Sequence, residues 1–203
     1  MTSNANPGSP RAQQLFAEQC DAQHRATDRM FAGLMLCQWP AAILLAATVS
    51  PRQWAGATSS LHLHVYLAIA LGACLTLTPV AAALLRPGRP ATRHLIAVCQ
   101  AMTSALLIHV SGGRIETHFH VFGSLAFLSF YRDWRVLATA TAITAADHCV
   151  RGLVLPQSIY GVLSASPWRW LEHVGWVAFE DVFLLHACRR GVREMHDLSL
   201  IHI

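Results

Sequence analysis

Two uninterrupted apolar runs dominate the chain. Met30–Val49 holds no charged residue over twenty positions, and Val65–Leu85 holds none over twenty-one. About twenty apolar residues carry a helix across the hydrocarbon core of a bilayer, so both runs are read as membrane spans, the second extended to about 62–86. Four further apolar segments, about 92–111, 117–133, 135–154 and 169–189, are broken by polar residues. They are kept as spans because Trp54, Trp134, Trp168 and Trp170 stand at or near segment ends, where indoles anchor helices at the interface. Pro40 and Pro79 predict kinks, which bilayer helices tolerate when neighbours re-satisfy the backbone.

The pattern predicts an all-α, multi-pass membrane helix bundle of about six transmembrane helices. A polar N-terminal segment, 1–29, precedes a six-span domain at 30–189 and a short tail at 190–203. Residues 1–10 read as an unstructured start, and 11–29 as a polar lead-in that can be helical. About thirty polar residues precede the first apolar run, too many for the n-region of a cleaved signal peptide. The tail REMHDLSLIHI ends without a folded domain. Its last residues resemble translated sequencing adapter, so residues 198–203 carry no functional weight.

Composition agrees with the membrane reading. Of the 203 residues 54% are hydrophobic and 13% charged, with mean hydropathy +0.38, where a soluble domain carries about a quarter charged residues. All 15 basic residues are arginines, which excludes a retinal Schiff base for want of a lysine amine. The arginines are scattered rather than gathered in a stripe, so nucleic acid is not an expected partner. With both termini on one side, that side holds Arg11, Arg25, Arg29, Arg86, Arg89, Arg93, Arg132, Arg135, Arg189, Arg190 and Arg193, and the other only Arg52, Arg114, Arg151 and Arg169. Eleven against four places both termini in the cytoplasm by the positive-inside rule. Cys37, Cys74, Cys99, Cys149 and Cys188 lie in apolar runs without CxxC spacing and read as small hydrophobes.

On this topology seven of the 12 histidines (His62, His64, His109, His118, His120, His148 and His173) fall in one outer layer contributed by five spans. Ionisable groups inside spans usually face the bundle interior and mark a site. Several imidazoles with a carboxylate suit a transition metal such as copper, zinc or iron. The expected ligand pool is His109, His118, His120, His148 and His173, with Asp147 as ligand or orienting group. Gly112–Gly113 would turn the chain so that His109 faces His118 and His120. Arg114, Glu116, Arg151, Glu180 and Asp181 are candidates for supporting or relay roles.

Other readings stay open. Two histidines could ligate a haem axially. The layer could be a metal-free, proton-responsive network, with Arg114 pairing Glu116 and Arg151 pairing Asp147. Glu180–Asp181 could relay protons, but a satisfied internal hydrogen bond, such as one carboxylate pairing with His186, is the preferred reading. A membrane metalloenzyme fits the donor count, but the HxxxH and HxxHH boxes of membrane desaturases are missing. A transporter is disfavoured by the lack of inverted repeats. No residue is assigned a catalytic role.

The stretch SGGRIETHFHVFGSLAFLSFYRDWRVL, then Asp147–His148, then PQSIYGVLSASPWRWLEHVGWVAFEDVFL, resembles the N-terminal six-span input region of bacterial signalling proteins. In that group the region precedes a histidine kinase, a diguanylate cyclase or a chemoreceptor-type output. The resemblance spans about 25–195 and implies a sensor for signal transduction, partnered by lipid, by a cytoplasmic output domain or protein and, by analogy with such receptors, by a second copy of itself. This chain contains no phosphoacceptor helix pair, ATP-binding motif or GGDEF of its own, so enzymatic output is expected from a part not present in it.

Overall fold

The structure is a computed structural model that describes residues 10–201. The expected unstructured start lies outside the described residues except for Pro10, which opens the first helix. Six long helices follow one another: α1 (Pro10–Val49), α2 (Leu63–Leu85), α3 (Pro90–Val110), α4 (Ile115–Leu128), α5 (Trp134–Val154) and α7 (Arg169–Ile201). A short helix, α6 (Gln157–Tyr160), lies in the α5–α7 connection, and a 3₁₀ turn (Ser129–Tyr131) ends α4.

The apolar runs and the helices coincide, but two outer boundaries differ: α1 begins well before its apolar run, and α7 continues past 189 to Ile201. The polar lead-in is continuous with the first apolar run, so α1 has 40 residues, about 60 Å of helix against a hydrocarbon core of about 30 Å. Its polar half therefore extends beyond any span. The α1 and α2 helices also run on through Pro40 and Pro79. Three helices, α1, α2 and α3, are long and apolar enough to cross a membrane.

Between α1 and α2 stands an antiparallel hairpin, β1 (Arg52–Ala55) and β2 (Thr58–Leu61), paired Arg52 to Leu61 and Ala55 to Thr58. It is the one departure from an all-helical chain among the described residues. Its two-residue turn begins with Gly56 at φ +63°, the position that a primed hairpin turn reserves for glycine.

The helix α3 lies at the centre, packed on α1, α2, α4 and α5, while α7 packs mainly on α5 and more lightly on α1. Small residues (Ala97, Ala101, Ser104, Ala105) let neighbours approach α3 closely. Phe31, Met35, Ile96, Ile108, Leu125, Leu128, Tyr131 and Leu137 fill the core. The outer surface stays apolar: Leu44, Leu84, Leu85, Phe119, Val154, Phe179 and Val182 are all exposed. A surface of that kind marks the chain as membrane-associated. Trp54, Trp134 and Trp168 are exposed as well, as anchors would be.

Ser111 and the two glycines after it close α3. Gly113 N–H donates to Ile108 O at 2.9 Å and Gly112 N–H to His109 O at 3.0 Å, the paired bonds of a Schellman stop. Both glycines have positive φ, +73° and +76°. A Cβ on Gly113 would stand 2.6 Å from Ile159 O and 2.5 Å from Gly161 N, so this turn also fits only a residue without a side chain.

Candidate functional site: an imidazole triad

Three of the expected histidines meet. His118 comes from the first turn of α4, His148 from the last third of α5, and His173 from the first turns of α7. Their ring centroids are 5.3 Å (His118–His173), 5.7 Å (His118–His148) and 5.7 Å (His148–His173) apart. An ion bound ~2.0–2.1 Å from three imidazole nitrogens would set the centroids roughly 5–5.5 Å apart. The spacing is therefore within a few tenths of an ångström of what one ion needs.

The three rings are held in the same way. Each Nδ1 lies against the carbonyl four residues earlier on its own helix: His118 on Arg114 O at 2.9 Å, His148 on Thr144 O at 3.0 Å and His173 on Arg169 O at 3.2 Å. A carbonyl only accepts, so each Nδ1 donates, and in a neutral ring the lone pair is then on Nε2. This is how ligating histidines are commonly oriented, with the outer nitrogen tied to a carbonyl and the inner one left bare. The Nε2 of His118 is buried and has no hydrogen-bond partner, a costly state for a polar atom unless something fills it. Beside the rings is a cavity of about 230 Å³, lined by the triad with Val121, Phe122 and Trp176 among its apolar walls. Among the described residues, no set of three or more His, Cys, Asp or Glu side chains already stands in metal-ligating geometry.

The remaining candidates lie elsewhere. His120, two positions from His118, turns to the other side of α4. Its Nδ1 meets Ser104 Oγ at 2.8 Å and its Nε2 meets the Gln38 amide at 3.0 Å, so both ring nitrogens are engaged between α1, α3 and α4. His109 does not face His118: it packs on His64, centroids 4.8 Å apart, and its Nδ1 contacts Ser158 Oγ at 2.7 Å. Asp147 takes both ends of the Arg151 fork, at 2.6 and 2.5 Å, the pairing expected at i, i+4. Arg151 also donates to Ser158 Oγ at 2.8 Å and to Ala105 O at 3.2 Å. With Asp147 Oδ2 3.4 Å from His148 Nδ1, a polar chain runs His109–Ser158–Arg151–Asp147–His148 along the edge of the triad. Arg114 and Glu116 are exposed; Arg114 contributes through its carbonyl. On α7, Asp181 accepts from Thr141 Oγ1 at 2.6 Å, while Glu180 Oε2 and Asp181 Oδ1 are buried without partners. This pair stands apart from the triad.

Sequence reasoning missed Tyr160, whose ring lies 5.1 Å from His173 under the Arg169 guanidinium, with its hydroxyl buried and unpartnered. It also missed Ser158 and Gln38. All three lie outside the histidine-rich stretches, and no local spacing signals them.

No protein-family model matches the chain, and no solved structure matches it. Over 70 residues the chain is 34% identical to the Transducer protein Htr8 of Halobacterium salinarum (strain ATCC 29341 / DSM 671 / R1). The match covers 34% of this chain and 11% of that transducer, so the chain corresponds to about a tenth of its relative's length.

Proposed function

We propose that the chain is the membrane-embedded input module of a signal-transduction protein, and that it senses through a transition ion held by His118, His148 and His173. In this reading the six long helices all span the inner membrane, with both termini in the cytoplasm. The likeness to a transducer supports the signalling part. One observation carries the site: three imidazoles from three helices, their centroids 5.3–5.7 Å apart, each with its Nδ1 committed to a carbonyl of its own helix and with the Nε2 of His118 buried and unpartnered. Copper, zinc and iron all accept such a neutral nitrogen set. A haem suits the arrangement less well, because its two axial histidines must stand on opposite faces of the porphyrin rather than in a mutual triangle.

The ion's role is to draw α4, α5 and α7 together at one end of the bundle. Since α7 continues unbroken to Ile201, a change in its packing at His173 is transmitted along one rigid element to whatever output follows. Signalling requires that the ion bind the two packings with different affinity; tight binding alone shifts nothing.

The test is metal content of detergent-purified chain made without a polyhistidine tag, beside His118→Ala/His148→Ala. Near-stoichiometric ion in the wild type and none in the folded variant is the expected result. No ion in either, after reconstitution with copper, zinc, iron and haem, would overturn the metal reading and leave a proton-responsive histidine network.

A further inference from the structure

At the opposite end of the bundle from the triad, the turn between α4 and α5 meets α7 around a cavity of about 390 Å³ lined by Arg132, Trp134, Cys188, Arg189, Val192 and Arg193. Among the described residues, three arginines and no carboxylate line the space. Arg132 Nη1 donates to Gly191 O at 2.9 Å, whereas among the described residues no acceptor lies within hydrogen-bond reach of the Arg189 or Arg193 side chains, both exposed. The nearby acids are committed elsewhere: Asp133 to Arg93 at 3.0 Å and Glu194 to Arg190 at 2.8 Å. Like charges gathered without a counter-charge repel one another, and an anion between them removes that cost.

Two further observations define the anion. Arg132 is the one non-glycine residue with positive φ, +54°, among the described residues, and a Cβ on Gly191 would meet its Nε at 2.8 Å. Arg132 thus ends the 3₁₀ turn as a left-handed cap, its N–H on Ser129 O, and this cap sets its side chain against α7. In addition, Phe179, Val182, His186, Arg189 and Arg193 follow at i, i+3, i+7, i+10 and i+14 on α7, one face of the helix. Phe179 and Val182 are exposed and apolar, so the stripe reads hydrocarbon-facing first and basic at its end. Trp134, exposed at the cavity rim, stands where indoles mark the headgroup level. A free phosphate would use only the basic end. An amphiphile uses the whole stripe.

We infer that this cavity binds the phosphate of an anionic phospholipid, whose acyl chains lie along the Phe179–Val182 face of α7. The site does not depend on the metal reading. It clamps lipid to α7 where that helix leaves the bilayer, so lipid charge would bias the same element that the triad moves. Basic pockets between membrane helices bind anionic headgroups in this way.

The test is native mass spectrometry of the full chain released from mild detergent with phosphatidylglycerol or phosphatidylcholine, alongside Arg189→Gln/Arg193→Gln and the control Arg52→Gln/Arg169→Gln. The wild type and the control should each retain one phosphatidylglycerol in strong preference to phosphatidylcholine, and the Arg189/Arg193 variant should lose that preference at least tenfold. Both substitutions are at exposed positions, and helical circular dichroism checks the fold. Equal retention by all three proteins would overturn the site. Displacement of the retained lipid by millimolar inorganic phosphate would overturn the lipid assignment, because the headgroup alone would then account for binding.

Discussion

Two buried polar clusters, one near each end of the bundle, are built on opposite principles. At the N-terminal end Asp28 is fully buried; its Oδ1 accepts from Tyr131 O–H at 2.7 Å and its Oδ2 from Gly88 N–H at 2.6 Å. Arg93 extends the cluster to Asp133, His24 and Gly88 O, and Gln23 caps Phe130 O. These bonds join α1, the α2–α3 turn and the α4–α5 turn, and both carboxylate oxygens of Asp28 are used. At the other end the imidazole triad commits one nitrogen of each ring and leaves the other bare. A saturated network fixes a fold, because breaking it strands donors in a dry interior. A half-saturated one, with the Nε2 of His118 buried and unpartnered, retains capacity for a ligand.

Removing Asp28 should have the largest effect. Asp28→Ala strands the Tyr131 hydroxyl and the Gly88 N–H, at about 1–3 kcal/mol each. A large drop in thermal unfolding temperature in detergent is expected, with metal content per folded chain unchanged. His118→Ala should do the reverse. It should weaken metal binding by at least about a hundredfold, as loss of a ligand costs more than loss of the group that orients it. It should leave the metal-free protein as stable as wild type or more so, since a buried unpartnered nitrogen is removed. If His118→Ala instead destabilises the metal-free bundle as Asp28→Ala does, the contrast between the clusters is broken.

Gly113→Ala comes next. The left-handed φ and the contact with Ile159 O together cost about 1–3 kcal/mol, and the displaced turn should weaken metal affinity because it sets the start of α4 just ahead of His118. Gly112→Ala carries the same φ with open space around its Cβ, so its smaller loss of unfolding temperature separates strain from contact. The smallest effect is that of pH on the saturated cluster. Burial, aided by the Arg93 guanidinium, lowers the pKa of His24, so the unfolded chain takes up its proton first. The stability this residue contributes is complete above its unfolded pKa of about 6.5 and is lost as pH falls through the lowered folded value. His24→Gln should flatten that part of an unfolding-temperature profile against pH.

Much of this architecture is legible in the sequence. The two charge-free runs and the four weaker ones mark the place of all six long helices, though not the N-terminal extension of α1 or the continuation of α7 past 189, because apolar length determines where a membrane helix can lie. The lead-in over 11–29 is legible as helical, but its fusion with the first span into one 40-residue helix is not, since a polar segment can extend a helix that packing elsewhere has already nucleated. The hairpin at Arg52–Leu61 leaves a faint trace in Gly56 alone. For the site, counting residues along each span places the histidines in one layer, but depth says nothing of rotation about the helix axis. His118 and His120 differ by two positions, roughly 200° around a helix, so they point to different neighbours. That separation was readable in principle. The grouping of His109 with His64 rather than His118 was not, because it depends on how α2 and α3 are turned against each other.

X-ray absorption at the metal edge tests the central claim most directly, on full chain loaded with one equivalent of zinc, with His148→Ala as comparison. The account predicts three imidazole nitrogens at about 2.0–2.1 Å in the wild type and fewer in the variant. A spectrum dominated by sulfur, or one that His148→Ala leaves unchanged, would contradict it.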